Sequence, residues 1–99
     1  MKDARHAKLA EVLVSYSLNV QKDDHVLIEA TDAVPEIIAE LVAAVSARGG
    51  HVYVKTGSSK IIRSLYRAGS LKSFEVTAEA EPAFMQKMQG YIAIRNYDN

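Results

Sequence analysis

Histidines are the commonest metal ligands and general bases near neutral pH, and this chain holds three of them, His6, His25 and His51. No pair stands at the i, i+4 spacing of a zinc-binding helix, and HExxH is absent, so no metal ligand set is written in the sequence. His25 and His51 each open an apolar β-branched run. That position puts them at the amino end of a strand, whereas ligands of open parallel sheets bind outside the carboxyl ends. Structural or solvated roles follow for both.

Two other constellations lie at the carboxyl ends. Thr56 to Lys60 reads TGSSK, with a glycine, two hydroxyls and a lysine before a helix, the place where a phosphate would meet free helix N–H groups. The first glycine and the GK pair of a Walker loop are missing, and a serine cap explains the same residues more simply. Glu29 and Asp32 flank the preceding strand end and could pair for acid-base work. The simpler alternative has Asp32 capping the next helix while Glu29 faces solvent. EATDAVPE contains no glycine, so a dinucleotide fingerprint is excluded. Met85 and Met88, with Phe84, suit core filling better than a cofactor box, and Glu75, Glu79 and Glu81 suit a solvated face. No nucleophile, base and orienting group converge.

The elements that must position these residues follow from periodicity. Leu9, Val12, Leu13 and Tyr16 repeat at helical spacing and predict an amphipathic helix over 4–18. HVLIEA is continuously apolar at Val26, Leu27 and Ile28, the pattern of a strand covered on both faces. Thr31 or Asp32 is the expected cap of a helix whose first turn holds Pro35. Val34, Ile37, Ile38, Leu41, Val42 and Val45 form its apolar stripe, and Gly49 and Gly50 end it. HVYVKT is a second strand, so 25–56 is a strand-helix-strand unit. Ser58 or Ser59 caps a helix carrying Ile61, Ile62, Leu65 and Tyr66, closed near Gly69. A turn around SLKSF is expected to lead to a short helix opened by Pro82, and Gly90 introduces the third strand. The fold class is therefore α/β, a small three-layer unit with a three-stranded parallel sheet (strands about 25–30, 51–56 and 90–95) flanked by helices. Its outer strands leave edges that a second copy or another chain could pair with.

The 99 residues suffice for a single domain, and 48% apolar with 24% charged residues is an ordinary globular composition. Twelve basic residues balance twelve acidic ones, which argues against nucleic acid or anionic membrane as a partner. Without cysteine, disulfides and thiolate chemistry are excluded. There is no secretion signal and no apolar run of ~18 residues, so a cytoplasmic location is the expectation.

The stretch RHAKLAEVLVSYSLNVQKDDHVLIEATDAVPEIIAELVAAVSARGGHVYV resembles the amino-terminal domain of the thermophilic metalloaminopeptidases, the group that includes aminopeptidases T and S. The likeness rests on a first helix ending in a YSL phrase (Val14 to Leu18, then Val20), a VLI strand (Val26 to Ile28), and a long helix closed by a glycine-histidine phrase (Arg48 to His51). At the far end, EPAFMQKMQGYIAIRNYDN is similar to the family's helix-to-strand segment. Asp24 and His25 depart from a turn that usually contains glycine, and Ser58 to Glu81 match poorly.

The resemblance implies an amino-terminal, non-catalytic part of a longer two-domain enzyme that removes amino-terminal residues from peptides. Two divalent metal ions, zinc, cobalt or similar, would be held by a separate carboxyl-terminal domain. None of that domain's ligand motifs is present, so no catalytic or metal residue is assigned here, and the chain alone is expected to be inactive. Its partners would be the catalytic domain and, in the whole enzyme, a peptide. Arg95, Asn96 and Asp98, leaving the last strand at its carboxyl edge, are the candidates to face that domain, the plain alternative being a polar tail without a role. A stand-alone ligand-binding module, holding a small anion near Thr31 and Gly57 to Ser59, or an association module is the alternative reading of the whole chain.

Overall fold

A computed structural model describes residues 3–97. Helix α1 (Ala4–Glu11) starts at Asp3, whose carboxylate accepts from the Arg5 N–H at 2.9 Å. Hydrogen bonding to Arg5 holds that carboxyl down to about 2. The helix continues over Val12–Ser17 in the wider π winding, where each N–H reaches back five residues rather than four. The expected apolar stripe holds in part. Leu9 and Leu13 pack against the core, whereas Val12 is exposed and Tyr16, within the wider winding, is 76% exposed; the fully buried face is His6, Ala10 and Val14.

Strand β1 (His25–Thr31) is central, between β2 (His51–Gly57) and β3 (Gly90–Arg95), and both pairings are parallel. Parallel neighbours place register partners on one face. Val26, Ile28 and Ile92 point into the core with Val14, Ile37, Leu41 and Val45. Leu27, Tyr53 and Tyr91 share a row on the opposite face, followed by Glu29 with Lys55, then Thr31 with Arg95. Burial of Val26 to Ile28 bears out a strand covered on both sides.

Helix α2 (Pro35–Ala47) carries β1 to β2 over the core face, burying Ile37, Leu41 and Val45. Its N-cap is Val34, with no side-chain cap, so neither Thr31 nor Asp32 caps it. Gly49 closes it at φ 81°, a left-handed turn that glycine adopts without steric cost. A Cβ on Gly50 would lie 2.9 Å from Val45 Cγ1, so this second glycine admits the chain against the core.

Helices α3 (Ser59–Ala68) and α4 (Leu71–Met85) carry β2 past β1 to the far edge. Three expectations fail here. SLKSF is the first turn of α4, because the Ser70 hydroxyl caps it by accepting from the Ser73 N–H at 3.1 Å. Pro82 stands inside α4 rather than opening a helix; the hydrogen bond it cannot donate falls in the last turn, after which the helix ends. Neither helix buries a residue. Phe84 and Met85, expected as core filler, are each 39% exposed. The Cα radius of gyration, 15.0 Å, exceeds the roughly 13 Å of a compact chain of this length, as an arm that stands off the sheet requires.

Stability should therefore be one-sided. Leu41→Ala is expected to lower the unfolding free energy by about 2–5 kcal/mol, and Leu71→Ala, at a 74% exposed position, to change it by less than about 0.5 kcal/mol, as measured by urea unfolding.

Candidate functional site

The two crossovers run over opposite faces, so the loops after β1 and β2 diverge at the carboxyl edge. In open α/β sheets such a divergence opens the usual ligand crevice. Here Asp32 bridges it. Its backbone, at φ 53°, donates N–H to the Gly57 carbonyl at 3.0 Å, and its carboxylate accepts from the Ser59 N–H at 3.1 Å. Asp32 thus caps α3 from the neighbouring loop instead of its own helix. Hydrogen bonding to the Ser59 side chain, then to its backbone, with a smaller effect from the Arg63 charge, holds the Asp32 carboxyl below its ordinary value.

The TGSSK stretch is a capped turn. Ser58 Oγ accepts from the Lys60 N–H at 3.2 Å and the Ile61 N–H at 3.4 Å, while the Ser58 carbonyl accepts from Ile62 at 3.0 Å. With Ser59 committed to Asp32, all four leading N–H groups of α3 are taken. A phosphate would find no free helix donor there.

Glu29 and Asp32 are engaged separately. Glu29 Oε1 accepts from the Tyr91 hydroxyl at 2.8 Å and Glu29 Oε2 lies 3.9 Å from Lys55 Nζ, which also reaches Glu81 at 3.3 Å. The hydrogen bond to Glu29, more than burial, pushes the Tyr91 phenol above its ordinary value. Glu29 is therefore no solvent-facing strand end, and Glu81 is more than a solvated acid. These groups floor a groove of about 600 Å3 between the sheet and α4, walled by Leu27, Tyr53 and Phe84. Tyr53 meets Phe84 edge to face, with ring centroids 5.5 Å apart. A second, wider crevice continues it at the carboxyl edge beneath α3.

The histidines divide between two places. His25 and His51 stack at 4.9 Å at the amino edge, His25 Nδ1 lying 2.8 Å from Tyr53 Oη and His51 Nε2 3.3 Å from Asp23 Oδ1. His6 is 2% exposed, with Nδ1 3.0 Å from Tyr97 Oη and no partner at Nε2. Among the described residues no group of three or more histidine, aspartate or glutamate side chains could hold a metal ion.

Of the residues expected at the chain's exit, Arg95 ends β3 and lines the carboxyl-edge crevice. Asn96 turns the corner at φ 53° and donates its N–H to the Thr31 carbonyl at 3.0 Å. Asp98 lies outside the described residues. Sequence reasoning missed the Asp32 bridge and the Tyr91–Glu29 pair, because each joins residues that only the strand register brings together.

A family model described as thermophilic metalloprotease (M29) matches residues 2–99. No curated protein matches the chain.

The Asp32 bridge gives α3 a pH dependence whose sign is fixed. A depressed folded pKa makes the contribution present above the unfolded value and lost as pH falls through the folded one. A carbon-detected NMR titration should find the Asp32 midpoint below that of an ordinary exposed aspartate. Asp32→Ala should speed amide exchange at Ser59 while leaving exchange within α2 unchanged.

Proposed function

The chain belongs to the thermophilic metalloprotease (M29) family, and from that premise we propose that it serves as the non-catalytic front domain of a metal-dependent aminopeptidase. Such an enzyme hydrolyses the first peptide bond of its substrate, and the chemistry a bound metal ion would supply there is polarisation of the carbonyl and activation of water. The described residues supply no ligand set for that ion. One ring nitrogen of each of the chain's three histidines is engaged, by Tyr97, Tyr53 and Asp23. In this reading the metals, zinc or cobalt, and their chemistry reside in a carboxyl-terminal domain.

The observation that carries a packing role is the arm. Across α3 and α4 no residue is buried, and Ile61, Leu65, Tyr66, Leu71 and Val76 are each more than half exposed. Apolar side chains grouped on one arm suit a surface that another domain covers. The carboxyl edge, where Arg95 and Asn96 leave the sheet, is the side turned toward the catalytic domain. The free edges of β2 and β3 favour a second reading, an association module that pairs strand to strand.

Incubated with leucine p-nitroanilide and cobalt or zinc, the purified chain is expected to release no nitroaniline above the metal-only control. Turnover that scales with protein and stops on chelation would overturn the non-catalytic assignment.

A further inference from the structure

The carboxyl-edge crevice, about 840 Å3 in volume, has an electrostatic feature that the fold does not use. Arg63 on α3 and Arg95 at the end of β3 both line it, and neither makes an ion pair or a side-chain hydrogen bond among the described residues. The nearby acids are already engaged: Glu29 by Tyr91 and Lys55, Asp32 by Ser59. Arg63 reaches Asp32 only as a charge felt at a distance. Ile62, Leu65 and Phe74 give the same crevice an apolar lining.

We infer that this crevice binds a small monoanionic carboxylate carrying an apolar or aromatic body, with Arg63 and Arg95 as the anion receptor. Guanidinium groups match a carboxylate in planar, paired hydrogen bonds, and the volume lies in the range of small-molecule sites. Two features select against phosphate. The α3 N–H groups that would cradle it are all taken, and a dianion would be repelled more strongly by Glu29 and Asp32. The apolar lining selects against a bare carboxylate, which would leave that surface wet. The crevice shares Ile61, Leu65, Tyr66 and Arg95 with the surface proposed above to meet another domain, but the assignment does not rest on the aminopeptidase reading, and failure of that reading would leave it intact.

Titration of the isotope-labelled chain with N-acetyl-L-phenylalanine, followed by amide NMR, tests it. Saturable shifts are expected at Thr31, Gly57 and Arg95. N-acetyl-L-phenylalaninamide, which lacks the charge, and inorganic phosphate should each bind at least tenfold more weakly. Arg63→Gln and Arg95→Gln should each weaken the acid at least tenfold while the remaining spectrum shows the fold unchanged, and Arg63→Lys and Arg95→Lys should retain part of the binding. Equal binding of acid and amide, undiminished binding by both glutamine variants, or no saturable shift would each overturn the inference, and phosphate binding as tightly as the acid would overturn its apolar half. A parallel titration with 3-phenylpropanoate separates the sources. Tighter binding of the acetylated amino acid supports the carboxyl end of a peptide, and tighter binding of phenylpropanoate supports a free organic acid.

Discussion

Parallel pairing on both sides of β1 is the constraint from which the rest of the molecule follows. Parallel strands cannot be joined by a hairpin, so each join must cross a face of the sheet. With β1 in the middle, the step to β2 and the step from β2 to β3 run in opposite directions. A right-handed crossover in each direction lands on a different face. One face therefore receives α2, the other receives α3 and α4, and the carboxyl-edge loops must part between β1 and β2.

The two faces are treated unequally. On the first, β-branched and leucine side chains of β1, α1 and α2 interdigitate around Ile28, Ile37 and Leu41, each at 0% exposure. On the second, the row of Leu27, Tyr53 and Tyr91 meets an arm that touches it chiefly through Phe84 and the Lys55–Glu81 ion pair. Both links are weak by nature: an exposed ion pair contributes about 0–1 kcal/mol, and an edge-to-face ring pair about 0.5–1.5 kcal/mol beyond its buried area. The core layer holds the fold, and the arm contributes little to it beyond these contacts and the Asp32 bridge at the start of α3.

Strand and helix identities were largely legible in the sequence because they rest on local periodicity. The α2 stripe, the β-branched runs at 26–28 and 52–54, and the glycines at 49, 50 and 69 each carry their meaning within a few residues. What was not legible depends on partners distant in sequence or on helical winding. Tyr16 looked like a core residue because α-helical spacing was assumed, and a π turn sent it outward. Asp32 looked like the cap of α2 because it immediately precedes that helix. Its backbone bond to Gly57 instead turns the carboxylate toward Ser59, 27 residues on. The site geometry was hidden for the same reason, since Tyr91 meets Glu29 across 62 residues of chain.

Tyr97 is held at three points: its carbonyl accepts from the Val34 N–H at 2.8 Å, its hydroxyl meets His6 at 3.0 Å, and the residue before it is tied to Thr31. The His6–Tyr97 contact spans 91 residues, so nearly the whole chain must be in place before it can form. Loop-closure entropy puts such a contact late in folding. Its hydrogen-bond partner His6 sits in a helix whose own start is local and quick to form. Helix α1 and the segment after β3 are thus tied to each other, and a local opening there would free both at once while the sheet stayed closed.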